Sequence, residues 1–277
     1  KPCQKKELVV EIMKDSTIST VRACKIVDLD RSMFYYQTRR DDSAVEEQLR
    51  YWAIKLPTRG FKEYFKRIRR SGLLWNHKRV KRVYLKLGLS RRRKMKRRLP
   101  SSEKQPLLQP ITPNLTWSMD FMHDCLDNGR KFRVLNIIDD YNREALDIQI
   151  AYSFPGEHVV RVLEQLIELR GKPQQIRTDN GPEFRHVYED FCTSNGIKPI
   201  KIQPGKPSQN GYIERFNRYY REDVLDAHIF ENLTQVRTIT EEWMEDYNEN
   251  HPHASLGNKS PKEFAAINCG KHSRAIA

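Results

Sequence analysis

Two rhythms of apolar residues divide this chain. As far as residue 89 apolar side chains recur three and four positions apart, and after Thr116 they come in short dense runs. In the first stretch, "STISTVRACKIVDLDRSMFYYQTR" (16–39) predicts two short helices around a tight turn. Val21, Ala23, Cys24 and Val27 face inward on the first helix, and Ser32, Met33, Phe34 and Tyr35 open the second. Asp28 takes the turn position that glycine usually holds. Between 44 and 89, Phe61, Tyr64, Phe65 and Ile68 mark one amphipathic helix, and Val80, Val83, Tyr84 and Leu87 mark another that Asn76 can cap and Gly88 can end.

The second rhythm predicts strands. "TWSMDFMHDCL", "KFRVLNIIDDY" and "ALDIQIAYS" are separated by the turn sequences "DNGR" and "NRE", which reads as an antiparallel meander. A helix follows in "GEHVVRVLEQLIELRG", with Val159, Val162, Leu163, Leu166 and Leu169 on one side. Then come a strand in "QQIRTD", a helix in "EFRHVYEDFCTSNG", a strand in "IKPIKIQ" and a helix in "SQNGYIERFNRYYREDVLDA". Three antiparallel strands followed by alternating helices and strands make an α/β fold with a mixed sheet, preceded by an all-α region. Pro100, Pro106, Pro110 and Pro113 interrupt the two parts and place an extended linker at 100–115.

Charge sharpens this division. Residues 1–110 hold 30 Lys+Arg against 11 Asp+Glu, a net of +19, whereas residues 111–277 carry a net of −5. Sixteen basic residues and no acid lie between Glu63 and Glu103, a density that points to nucleic acid rather than to a solvated or membrane-facing surface. The candidate DNA contacts are Arg22, Arg31 and Ser32 on the first helical pair, Lys78, Arg79, Lys81 and Arg82 on the free faces of the second amphipathic helix, and Arg91, Arg92 and Arg93 beyond it. No apolar run is long enough for a membrane span, and the opening "KPCQKKELVV" lacks the apolar core of a signal peptide, so a cytoplasmic, nucleoid-associated protein is expected. Five dispersed cysteines argue against both a disulfide framework and structural zinc.

The acids of the second part carry the candidate chemistry. Asp120 falls inside the first strand and Asp179 just beyond the fourth, where "RTDNGPEF" turns the chain sharply; Glu183 then opens the next helix against its dipole. If those strands are neighbours, the two carboxylates meet at one edge of the sheet. Glu214 lies at the margin of the stripe formed by Ile213, Phe216, Tyr220 and Val224 and can reach that edge. Three carboxylates in one cleft repel unless a cation joins them, and hard oxygen ligands suit Mg²⁺ or Mn²⁺, a pair of which serves phosphoryl transfer. Among 36 acids many such triples exist, so spacing alone does not select this one. On the helix of Glu214, the residues Asn217, Arg218 and Arg221, with Asn210 and the nearby Lys206, are placed to hold DNA. Asp124, Asp139 and Asp140 read as strand-end or capping acids, His251 and His253 as a packing loop, and Ser260 to Glu263 as a capped helix start.

"WSMDF", "RTDNGPEF", "QPGKPSQNGYIERFN" and "YNENHPHASLGNKSPKEF", in that order, resemble the catalytic part of bacterial insertion-sequence transposases made by fusing two reading frames, members of the retroviral-integrase superfamily. "TVRACKIVDLDRSMFYY" resembles that family's helix-turn-helix, and the basic stretch from Arg59 to Leu89 its following helical region. The resemblance, over about residues 16–268, implies a ribonuclease H-like five-stranded sheet with flanking helices and a triad of Asp120, Asp179 and Glu214 holding two Mg²⁺ or Mn²⁺ ions. It implies cleavage and strand transfer on double-stranded DNA, at element ends and target, by a homo-oligomer, with the upstream reading-frame product as a further partner and a copy-out, paste-in route. In domain terms it gives a helix-turn-helix region at 1–42, a basic helical region at 43–99, a catalytic core at 116–228 and a C-terminal helical extension at 229–277. This chain departs from the pattern at Asp28, at Phe61 where tyrosine is frequent, and in the Asp179–Glu214 interval, which is one residue short. A non-catalytic DNA-binding regulator or transposon remnant, and a structure-selective nuclease, are the alternative readings.

Overall fold

A computed structural model describes residues 2–15, 18–36, 41–90, 107, 109–202 and 207–272, and it divides into two compact units, Lys1–Ala44 and Val45–Ala277. Residues 100–106 and 108 of the proline-rich linker lie outside the described residues, as do Arg91, Arg92, Arg93 and Lys206.

In the first unit α1 (Pro2–Asp15), α2 (Thr20–Ile26) and α3 (Arg31–Tyr35) pack Val9, Ala23, Cys24 and Leu29 together. Apolar spacing alone does not predict α1, whose Leu8, Val10 and Met13 form no buried stripe and stay exposed. Val21 is 49% exposed rather than inward, because on so short a helix it stands opposite the buried Ala23. Asp28 adopts φ 53, the left-handed turn conformation expected of it, and Lys5 Nζ donates to its carbonyl at 2.5 Å.

The second unit opens with α4 (Ser43–Lys55), α5 (Phe61–Arg70) and α6 (His77–Lys86), packed around Val45, Leu49, Tyr64, Ile68, Val80 and Val83. Asn76 caps α6 by accepting from Lys78 N at 2.8 Å, and Gly88 ends it at φ 67. The sheet comprises β1 (Thr116–Cys125), β2 (Lys131–Asp139), β3 (Ala145–Ala151), β4 (Gln175–Thr178) and β5 (Lys198–Lys201), in the order β3-β2-β1-β4-β5. The meander β1-β2-β3 is antiparallel, and β4 and β5 are parallel to β1. With α7 (Gly156–Arg170) and α8 (Val187–Ser194) on one face and α9 (Gly211–Tyr220) and α10 (Leu233–Asn250) on the other, this is the ribonuclease H-like fold. Strand alternation sends Trp117, Met119, Leu135 and Ile137 to the α7/α8 side, and Met122, Val134 and Ile138 to the α9/α10 side.

Two helix expectations need correction. Leu169 is 79% exposed, since about 100° per residue carries it some 70° off the centre of the α7 stripe. The segment from Glu183 is not one helix: a short turn, Pro182–Phe184, is cut from α8 by His186 at φ 44. Glu183 therefore does not cap α8 but forms an ion pair with Arg133 of β2, whose hydrogen bonding outweighs partial burial and holds Glu183 below the usual carboxylate range. At the far end of the chain, α11 (Pro261–His272) starts with the expected reciprocal cap, Ser260 N to Glu263 Oε2 at 3.0 Å and Glu263 N to Ser260 Oγ at 3.3 Å.

The contrast of charge between the two halves is partly spent inside the molecule. Arg59 Nη2 donates to Asp223 Oδ2 at 2.5 Å, with the two side chains 9% and 4% exposed, and Thr58 and Trp243 donate to the same carboxylate. Arg67, 4% exposed, reaches Asp246 at 2.9 Å, and Arg70 reaches Glu263 at 2.6 Å. Cations of the basic helices thus bind acids of the C-terminal part, so α4–α6 are anchored to α10 and to the helical turn that follows α9. Removing one member of a buried pair leaves the other charge without a partner. Arg59→Ala should lower the unfolding free energy by about 3–5 kcal/mol in urea titration. A fragment beginning after residue 105, which strands Asp223 and Asp246, should unfold at distinctly lower urea than the full chain. Changes within about 0.5 kcal/mol would mean that the pair is not structural.

Candidate active site

Parallel pairing of β1 with β4 aligns Thr116 with Gln175, Trp117 with Ile176 and Ser118 with Arg177. Two residues further on, the same register brings Asp179 level with Asp120, so the local chemistry of two distant segments converges where β4 ends beside the middle of β1. Asp120 shares its strand face with Met122, the face covered by α9. Asp179 leaves β4 in a turn whose Gly181 N donates to Asp179 Oδ1 at 3.0 Å. A β-carbon at Gly181 would stand 3.0 Å from that oxygen and 2.9 Å from Glu183 Oε2, so the turn needs glycine to hold both acids where they are.

Glu214 enters on the first turn of α9. One turn later Asn217, 8% exposed, donates through Nδ2 to Asp120 Oδ2 at 2.7 Å. Its own Oδ1 accepts from Asn136 Nδ2 at 2.7 Å, which fixes the amide with nitrogen toward the carboxylate. Asn136 is fully buried on β2, directly opposite Asp120 in the antiparallel register. Burial, then the charges of Asp179 and Glu214, push Asp120 up to about 6, against the opposing hydrogen bonds from Phe121 N and Asn217. Partial burial also raises Glu214. The three acids are therefore in one electrostatic neighbourhood. Among the described residues, no three His, Cys, Asp or Glu side chains are gathered tightly enough to hold an ion between them.

Most of the chain is similar to known proteins. Two models described as integrase core domain match residues 111–207 and 195–261. The 31.7 kDa protein of insertion element IS407 of Burkholderia multivorans is 38% identical over 258 residues, covering 92% of this chain and 93% of that protein. The chain belongs to the insertion-sequence transposases with an integrase-core catalytic domain. The Escherichia coli transposase InsD of insertion element IS2 is 29% identical over 81% of this transposase and 79% of its own length. Among solved structures, the catalytic core of HTLV-2 integrase in complex with magnesium is 22% identical, with a TM-score of 0.45 over 58% of this chain and 99% of that one.

The other sequence candidates fare differently. Asn217 is 8% exposed, with one hydrogen bond at each end of its amide, to Asn136 and to Asp120. Arg218 is 64% exposed beside Glu222, whereas Arg221 donates to His123 O at 2.9 Å. Arg22, Arg31 and Ser32 are exposed in the first unit, and Lys78, Lys81 and Arg82 on α6, with Arg79 half-buried. Asp139 accepts from Asn114 N and Tyr141 N and so caps a loop, and Asp140 pairs with Arg177 at 2.5 Å. Asn136 escapes the sequence patterns used above, although a lone amide inside the apolar run "VLNII" was its signal. This transposase should lose about 10- to 100-fold in single-turnover strand joining on Asn136→Leu, with DNA affinity retained, because Asn217 is then free to rotate. A rate within twofold of wild type would show that the asparagine pair does not position Asp120.

Proposed function

We propose that Asp120, Asp179 and Glu214 form the metal-binding triad of this transposase, and that the enzyme cleaves insertion-sequence ends and joins them to target DNA. The observation that carries this reading is the β1/β4 register, which brings Asp179 level with Asp120 on the sheet face covered by α9, the helix that bears Glu214 in its first turn. Clustered carboxylates are costly in isolation, and an all-oxygen donor set fits Mg²⁺ or Mn²⁺. When bound, such ions supply Lewis-acid stabilisation of charge at the attacked phosphate. Asn217 fixes Asp120 so that its carboxylate keeps one orientation. Arg215 and Arg218 flank Glu214 in a cleft that also contains Arg59, Tyr219 and Glu222, and the two exposed arginines counter DNA phosphates there.

In cleavage a water oxygen bonds to phosphorus as the bond to the 3′-oxygen breaks, and the proton leaves with solvent. In joining, the freed 3′-hydroxyl is the nucleophile, so one phosphodiester is formed for each one broken and no external energy source is required. Two element ends and a target engage together, for which we propose a homo-oligomer on DNA. Strand joining from a pre-cut end separates this reading from a nuclease, for which water is the sole nucleophile, and from a DNA-binding regulator.

Asp120→Asn, Asp179→Asn and Glu214→Gln should each depress cleavage and joining by about a thousandfold or more while DNA binding persists. Comparable activity in any one variant would exclude that residue. The exposed cations of α6 form the proposed phosphate-binding face. Replacing Lys78, Arg79, Lys81 and Arg82 by alanine should flatten the slope of log affinity against log salt by up to about 0.9 for each phosphate no longer neutralised. An unchanged slope would assign those cations to solvent.

A further inference from the structure

Behind α9 lies a second cleft, of about 320 Å³, that the triad does not use. Tyr212, Arg215 and Tyr219 line it from three successive turns of α9, and Arg143 and His253 close it from the β2–β3 turn and the loop before α11. Its volume suits a small ligand rather than solvent alone. Arg143 is 5% exposed and His253 7% exposed, yet Arg143 Nη1 and His253 Nε2 are buried without a hydrogen-bond partner. Buried polar atoms of this kind are seldom left unsatisfied in a finished structure, and here both belong to residues that line one space. Arg143 also holds φ 65 in the left-handed region, an unfavourable conformation for a side chain of its size, while its guanidinium lies 3.5 Å from the centre of the Tyr212 ring.

The lining has a definite chemical preference. Two arginines and no acid favour an anion, and tyrosine rings favour a planar group. Burial pushes His253 down to about 3, so its ring is a neutral hydrogen-bonding group rather than a third cation. Arg215 and Tyr219 also line the neighbouring cleft that contains Glu214, so the two spaces share a wall. A strand passing Glu214 therefore has this cleft within about one helical turn.

We propose that the cleft receives one unstacked nucleotide of the DNA strand beside the active site, its phosphate against Arg143 and Arg215 and its base against the rings of Tyr212 and Tyr219. This rests on DNA being the substrate of the neighbouring acids. Extrahelical capture of this kind fixes the strand's position along the cleft, and it is easiest where a base is already unpaired.

The test uses the full chain without metal and two duplexes of one sequence, with 2-aminopurine either paired to thymine or opposite an abasic site. Wild type should bind the unpaired duplex about tenfold more tightly and quench its fluorescence through ring stacking. Tyr212→Leu should abolish both the preference and the quenching, and Arg143→Lys, which keeps the charge but not the paired guanidinium donors, should reduce the preference if the leucine variant does not fold. Equal affinity of wild type for the two duplexes, or a preference that survives both substitutions, would overturn the proposal. Strand joining in Mg²⁺ by wild type and Asp120→Asn is measured alongside. Joining without the unpaired-base preference defeats the nucleotide cleft alone, whereas the preference without joining defeats the triad and leaves the cleft standing.

Discussion

The parallel pairing of β1 with β4 is the constraint on which the site depends. Fifty-nine residues separate the paired positions, and a slip of one residue would send Asp120 or Asp179 to the opposite face of the sheet. Nothing local to either acid prevents that slip. It is prevented by Trp117, Met119 and Ile176, which are fully buried under α7 and α8, while Met122 is buried under α9. Packing on both faces therefore fixes the register, and the register fixes the distance between two carboxylates that would otherwise separate.

The third acid depends on a different set of contacts. Glu214 rides on α9, and α9 is tied down at two points: by Asn217 to Asp120 and Asn136, and just past its last turn by Asp223 to Arg59. Arg59 also lies 4.3 Å from the Tyr219 ring on the same helix. The basic helices thus reach acids of the C-terminal part through ion pairs, buried at Arg59 and Arg67 and exposed at Arg70. A charge asymmetry that looks from the sequence like two independent tasks is in the folded chain also a means of holding the helix of Glu214 in place.

The periodic elements were legible because one face of each is buried: the three-strand meander, α5, α6 and α7 follow directly from apolar spacing. Asp120 could be placed inside the first strand and Asp179 just beyond the fourth for the same reason. Less legible were features set by contacts distant in sequence. Leu169 belongs to the α7 pattern on paper but falls past its buried side, and His186 interrupts an otherwise continuous helical sequence by taking a positive φ. The role of Asn217 in holding Asp120 was not legible either, because its partner Asn136 lies 81 residues away on β2. Arg59 and Arg67 belong by sequence to a DNA-binding charge, but in the fold their acidic partners in the C-terminal part occupy them.

The most direct test of the convergence on one sheet edge reads metal position rather than activity. Mn²⁺ titrated into the isotopically labelled full chain broadens backbone resonances near the bound ion. Convergence of the three acids predicts broadening first at Phe121, at Asn180 and Gly181 and in the first turn of α9, at one common midpoint, with the three sets losing their response together in Asp179→Asn. Broadening confined to one segment, or first seen around Asp139 and Asp140, would contradict it.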